Sequence, residues 1–327
     1  MQSIGIRAGG NSEDIITHID YDDYGRQDKD YLPYATSSNG GLYRTTALND
    51  TDNFYDTSKY ENTANFYSEK HLESSPLSRI LEQGAPGADW IVNKASDADR
   101  TIKFGYESNA GNEVRRYEAT TTASVSSGVT TYVPSLSINT NINNGYYEAN
   151  ELYKTITKDE NWKPTLPSAK LKNHTTEEFK DKQGRVVLKR TYSTISGTAT
   201  PHDTYYVYDD YGNLSYVLPP KVVHDTSISS TELSELCYQY KYDDRNRLVE
   251  KKIPGKVIEY IIYDKLDRPI ITQDSNLRQQ GKWLFTAYDS FGRVSYTGKV
   301  YRPSWSRQTM QNHVAGSNKL FVAKLTS

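Results

Sequence analysis

The chain has 327 residues, with 39 Lys and Arg against 41 Asp and Glu, one Cys, and 28 Tyr beside 7 Phe and 4 Trp. No apolar run approaches the roughly 18 residues that a membrane helix needs, and a net charge of -2 gives no global field for nucleic acid. The single thiol, Cys237, excludes a disulfide framework and a cysteine-based metal site.

The length suits one or two domains with a real core. Tyrosine joins a large apolar body to a polar end, which suits half-exposed sheet faces better than a greasy helical core. The first residues, Met-Gln-Ser-Ile-Gly-Ile, have neither a basic n-region nor an apolar h-region, so no signal peptide is read there.

In chain order, the first recognisable unit is Tyr21-Asp22-Asp23-Tyr24-Gly25-Arg26. Residues 75–84 read as a short helix, with Ser75 as N-cap, Pro76 at the first position and Gly84 at the stop. Strands are expected over 101–106 and 113–118, joined by the turn Asn109-Ala110-Gly111-Asn112. Residues 119–145 are rich in Ser, Thr and Asn, and read either as a long hairpin or as a mobile loop. Residues 163–167 read as a connector, and 231–235 as one helical turn before a strand at 237–242. The expected organisation is therefore an irregular β region over 1–170, with one repeat copy and an insertion, and a hairpin array over 171–327.

The array is defined by self-similarity. Beside Tyr21-Asp22 stand Tyr208-Asp209-Asp210-Tyr211-Gly212-Asn213, Tyr242-Asp243-Asp244-Arg245-Asn246-Arg247, Tyr263-Asp264-Lys265-Leu266-Asp267-Arg268 and Tyr288-Asp289-Ser290-Phe291-Gly292-Arg293. A degenerate copy is Asp181-Lys182-Gln183-Gly184-Arg185, with Phe179 one place further back than the usual tyrosine. Three residues after each Asp stands Gly25, Gly184, Gly212, Asn246, Asp267 or Gly292, all residue types that tolerate positive φ. A type I turn followed by such a residue is the three-residue hairpin with a bulge. Each copy thus reads as a strand ending in Tyr, a tight turn, and a strand starting after Arg. The flanks are short, aromatic and β-branched, as at 259–263 and 269–272. The fold class is all-β: tandem hairpins feeding one extended, curled antiparallel sheet, with one or two short helices.

Strand-Tyr-Asp-x-x-Gly-Arg-strand, repeated at loose spacing, resembles the YD-repeat or RHS family. Further stretches are similar to bacterial RHS-repeat proteins, among them Tyr31-Leu32-Pro33-Tyr34, Lys180-Asp181-Lys182-Gln183-Gly184-Arg185, and the run from Gln273 to Trp283. The resemblance implies hairpins that wind into a hollow β shell, enclosing a C-terminal polymorphic toxin or serving as a cell-surface scaffold. It implies secretion or surface display, and as partners adjoining shell segments or a toxin cargo. The chain departs from a complete family member in being short for a closed shell. It contains no Asp-Pro dipeptide, hence no Asp-Pro-x-Gly autocleavage sequence, and no recognisable toxin in residues 312–327.

Catalytic chemistry has a thin basis. Asp209 and Asp243 could pair as acid and base, but an active site occurs once and a turn occurs in every hairpin, so hydrogen bonding within each turn is the better reading. Asp20-x-Asp22-x-Tyr24-Gly25 starts like an EF-hand loop and fails at its fifth position, Tyr24, and its twelfth, Tyr31. The six histidines show no metal-binding spacing, and neither a serine elbow nor a phosphate loop is present. Cys237 reads as a buried, inert thiol. The repeat arginines read as stacking on tyrosines or pairing with turn aspartates rather than binding anions. Exposed aromatics such as Tyr146, Tyr147, Trp162 or Trp305 could stack on sugar rings, which makes glycans a further candidate partner, although sheet packing is the better reading. The expectation is a non-enzymatic structural segment without cofactor or metal, with a carbohydrate-binding module and a carboxylate-pair glycosidase as rivals.

Overall fold

The computed structural model describes residues 1–126, 129–222, 224 and 227–322. The tip of the Ser/Thr/Asn-rich excursion, 127–128, and the end of the C-terminal segment, 323–327, lie outside the described residues. The chain is mostly β, with antiparallel strand pairing. It divides into two compact units: Met1–Ser108, Tyr153–Phe179 and Arg190–His202 form one, and Asn109–Leu152, Lys180–Lys189 and Asp203–Ser327 form the other. The units interleave along the chain, so the excursion falls in the same unit as the C-terminal hairpins.

In the first unit, strands Gln2–Gly5, Asp14–His18 and Tyr34–Thr36 form a small sheet with Asp14–His18 in the middle. Helix Ala47–Tyr55 packs against it, and Ile16, Tyr34 and Ala47 are its buried core, with Ile4 and Phe54 alongside. In this helix Ala47 and Thr51 face inward one turn apart, and the Thr51 hydroxyl donates to the Ala47 carbonyl at 2.7 Å. A second ladder runs Lys29–Tyr31, Tyr67–Leu72, Ile80–Gly84, Ile102–Ser108 and Tyr153–Lys158. The helix expected over 75–84 is not formed. Ser78 sits at φ 49°, and Arg79 forks onto Glu73 with two bonds of 3.0 Å and one of 2.8 Å. Together they turn the chain back into the strand Ile80–Gly84. Gly84 is not a helix stop; it lies in a strand, where a Cβ would collide with the Trp90 carbonyl.

In the second unit the excursion is a hairpin of two ten-residue strands, Tyr117–Ser126 and Val129–Ile138. The strand expected over 113–118 begins only at Tyr117. Before it, Arg115 makes an isolated bridge to Tyr146, and its guanidinium stacks 4.0 Å over that ring. The hairpin array runs in hydrogen-bonded order from the end of Thr198–Tyr208 through Leu214–Leu218, Tyr238–Tyr242, Leu248–Lys252, Glu259–Tyr263, Pro269–Gln273 and Lys282–Tyr288 to Val294–Tyr301. Its best-defined core is Ile262, Trp283, Met310 and Val314, to which helix Arg307–Ala315 contributes the last two. The α-helices outnumber the one or two expected: Ala47–Tyr55, Ser275–Gln279 and Arg307–Ala315 stand beside Ser230–Glu235. Each of the three C-terminal helices starts at a side-chain cap, Ser229, Asp274 or Ser306.

Candidate functional site

The repeated feature is the turn, and it is built the same way in all six copies. The backbone N–H of Asp22 donates to the Arg26 carbonyl and that of Gly25 to the Asp22 carbonyl, each at 2.8 Å. One carboxylate oxygen of Asp22 accepts from the Tyr24 and Arg26 backbone N–H groups at 2.9 Å, and the other from Arg26 Nε at 2.8 Å. Asp181 with Arg185, Asp243 with Arg247, Asp264 with Arg268 and Asp289 with Arg293 repeat all of these bonds. Asp209 repeats them with Asn213, whose amide replaces the guanidinium at 3.3 Å. The residue three after each Asp has positive φ: Gly25 73°, Gly184 81°, Gly212 83°, Asn246 56°, Asp267 61° and Gly292 77°. The strand register slips by one at Tyr208, Tyr242, Tyr263 and Tyr288, where the bulge sits.

At two of the turns these bonds also lower the carboxyl. The backbone N–H and guanidinium of Arg26 hold the Asp22 carboxyl below its ordinary range, and those of Arg293 do the same for Asp289. Asp267, at a positive-φ position, is lowered by Arg245, which it meets at 2.8 Å, and by Arg247 at 2.6 Å.

Within the second unit, consecutive turns are also joined to each other. The hydroxyl of each repeat tyrosine donates to the carbonyl of the residue that follows the Arg or Asn of the turn before. The pairs are Tyr208 to Val186 at 3.1 Å, Tyr242 to Leu214 at 2.9 Å, Tyr263 to Leu248 at 3.0 Å and Tyr288 to Pro269 at 3.0 Å. The preceding arginine lies over the same ring: Arg185 over Tyr208 at 4.8 Å, Arg247 over Tyr263 at 4.8 Å and Arg268 over Tyr288 at 4.5 Å. Where Asn213 replaces the arginine, its amide donates to Asn246 at 3.0 Å instead. Burial raises the phenol of Tyr242 to about 12 and also raises Tyr208 and Tyr263, so these hydroxyls stay protonated donors.

The first unit contains a relative of this junction that motif reading misses. Glu73 and Arg79 close the hairpin at 67–84, Arg79 lies 4.6 Å over the Tyr106 ring, and the Tyr106 hydroxyl donates to the Ile80 carbonyl at 2.9 Å. Glu in place of Asp and a loop two residues longer hide it from the Tyr-Asp pattern. The signal that could have found it is an acid and an arginine flanking a Ser-rich turn, with an aromatic strand to follow.

The other candidate sites fare differently. Asp209 and Asp243 line one pocket of about 110 Å³ with Tyr132, Tyr211 and Tyr242. Each carboxylate there is already held by its own turn, Asp209 by Tyr211 and Asn213 and Asp243 by Arg245 and Arg247. Among the described residues no group of three His, Cys, Asp or Glu side chains converges on a metal position. Cys237 is fully buried, and desolvation pushes its thiol up to about 11. Trp162, expected to be exposed, is buried, and its indole N–H donates to the Leu171 carbonyl at 2.9 Å. Tyr146, Tyr147 and Trp305 are half-buried, under Arg115, Arg116 and Arg302 respectively. Each of these three rings therefore carries an arginine over one face.

Residues 1–104 match a family model described as a domain of unknown function, DUF6443. No curated protein matches the chain. The fold resembles a stretch of TcdB2–TccC3. That solved structure matches with a TM-score of 0.53 at 13% identity, over 93% of this chain and 12% of that one. TcdB2–TccC3–Cdc42 matches with a TM-score of 0.52 at 13% identity and the same coverage. A mutant Tc holotoxin pore from Photorhabdus luminescens gives a TM-score of 0.50 at 12% identity, again over 93% and 12%. At these identities the likeness is one of fold, and the chain spans only 12% of the length of the solved chains it matches.

Proposed function

We propose that the chain is a wall segment of an RHS-type β shell, a structural part that helps enclose a toxin cargo outside the cell. The observation that carries this reading is the inter-turn junction. One carboxylate-closed turn, repeated and tied to its neighbour by a tyrosine and usually an arginine, is a device for adding hairpins to one sheet. The fold likeness to TcdB2–TccC3 supports it. In this reading the chain performs no reaction. Its repeated carboxylates serve turn geometry, and of the aromatics that could bind glycans Trp162 is buried while Tyr146, Tyr147 and Trp305 each lie under an arginine on one face. Electron microscopy of the chain expressed with its genomic flanks tests the proposal. A hollow particle with a protease-resistant interior is the expected result; a solid or filamentous particle whose every domain is digested would reject it.

A further inference from the structure

In the first unit a lysine and two carboxylates meet where strand Ile102–Ser108 begins. Lys103 Nζ lies 2.5 Å from Asp99 Oδ1 and 3.2 Å from Glu82 Oε1, and it donates to the Thr101 hydroxyl at 2.7 Å. The Thr101 hydroxyl donates in turn to Glu82. The other Asp99 oxygen, Oδ2, accepts from the Asn93 backbone N–H at 2.7 Å. The backbone of this corner is held by Lys163, whose Nζ donates to the Ala98 carbonyl at 2.7 Å and to the Asp99 carbonyl at 3.3 Å. The side chains of Lys103 and Glu82 are each 7% exposed, and that of Asp99 is 11% exposed. Desolvation raises the Glu82 carboxyl, and its hydrogen bond with Asp99 raises it further. Against desolvation, hydrogen bonds from Lys103 and the Asn93 backbone hold Asp99 low. Of the two acids, Glu82 is therefore the first to take a proton.

We propose that Lys103 and Asp99 join in an autocatalytic isopeptide bond, with Glu82 as the catalyst of proton transfer. The geometry supplies what such a bond needs: an amine against a carboxyl, an acid hydrogen-bonded to that carboxyl, a donor on the oxygen that gains charge, and little water. One carboxylate is enough to neutralise Lys103; the second, Glu82, is the one whose proton the reaction uses. The ion pair first becomes neutral, as Nζ passes a proton to Oδ1 and leaves a free amine beside a carboxylic acid. Burial favours this exchange, because charged groups lose more than neutral ones on leaving water. Nζ then attacks Asp99 Cγ, one bond beyond Oδ1. The C–N bond forms, and the charge that develops on Oδ2 is met by the Asn93 N–H. Glu82 gives a proton to the Oδ1 hydroxyl and takes one from the nitrogen, the C–Oδ1 bond breaks, and Oδ1 departs as water. Nothing is oxidised or reduced, Glu82 ends as it began, and the products are an amide and one water. The amide closes residues 99–103 into a ring at the entry to the strand.

The bond does not depend on the wall-segment reading. Its test is the intact mass of the purified 327-residue chain, denatured before measurement. The expected mass is that of the sequence less one water. Tandem spectra of a tryptic digest should join Asp99 to Lys103 and show no cleavage after Lys103. Lys103→Arg keeps a cation at the site and cannot form the amide, so it should retain the full sequence mass. Glu82→Gln keeps the shape and the hydrogen bonding and loses proton transfer, so its water loss should be about a hundredfold slower. Circular dichroism matching wild type shows that each variant is folded. A wild-type chain at its full sequence mass would overturn the proposal without any variant. A water loss that maps elsewhere, or that survives in Lys103→Arg, would overturn it too. Folded Glu82→Gln reacting at the wild-type rate would overturn it as a three-residue site.

Discussion

The guanidinium of Arg247 lies 4.8 Å above the ring of Tyr263. The contact joins two hairpins that share no turn, and the Tyr263 hydroxyl completes it on the Leu248 carbonyl. Tyr263→Phe keeps the ring and removes that bond, so it should cost about 1 kcal/mol in urea denaturation. Pairing Arg247→Ala with Tyr263→Ala in a double-mutant cycle should give a coupling of about 0.5–2 kcal/mol. Additive losses would mean that the two side chains are neighbours without being partners.

Asp264 tests the inside of the turn. It is nearly buried, and its carboxylate accepts from Leu266 and Arg268 N–H groups and from the Arg268 guanidinium. Asp264→Asn keeps an acceptor for the two backbone groups and loses the ion pair, at a cost of about 1 kcal/mol. Asp264→Ala loses every bond and should cost about 2–3 kcal/mol. Equal effects of Asn and Ala would show that the carboxylate works through charge alone.

At Gly292 the backbone is at φ 77°, and a Cβ would meet nothing within 4 Å. The position therefore tests conformation without a packing clash. Gly292→Val should lower stability by about 1–2 kcal/mol, and Gly292→Asn by much less, because Asn246 already occupies the equivalent place at φ 56°. If Val and Asn melt together, the left-handed conformation is not what the glycine provides.

The six turns, and the strands flanking five of them, were legible in the sequence because the constraint is local: Asp, a positive-φ residue and Arg (Asn at 213) stand within five positions and interact with one another. Around Asp22 the expected flanks fail, since the strand before it ends at His18 and the next starts at Lys29. What the sequence hid is long-range or degenerate. The junction bond runs from Tyr263 to Leu248, and nothing local marks Leu248 as its acceptor. Residues 75–84 carried helix-start and helix-stop residues, yet Glu73 and Arg79 overrode them from either side of the turn. Helix Arg307–Ala315 shows only Met310 and Val314 on its buried apolar face, too few for a period to stand out, and it forms because they meet Ile262 and Trp283. The excursion at 119–145 left hairpin and loop open. Its pairing is anchored from outside, where the Thr121 N–H meets Asp210 at 2.8 Å and the Tyr216 hydroxyl meets the Pro134 carbonyl at 2.6 Å.

Glu73 makes acid stability testable at one turn. Hydrogen bonds from the Arg79 guanidinium, then from Ser75, hold its carboxyl at about 2, against an ordinary 4.5. A group whose folded value is depressed stabilises the fold fully above its unfolded value, and that contribution disappears as the pH falls toward the folded one. Wild type should therefore exceed Glu73→Gln in urea midpoint at pH 7 by a margin that holds down to about 4.5 and narrows steadily below it. The comparison with Gln cancels the other carboxylates, which protonate in both proteins. A gap that stays constant between pH 6 and pH 3 would place the stabilisation in packing of the side chain and remove the charged Glu73–Arg79 fork as the closure of that hairpin.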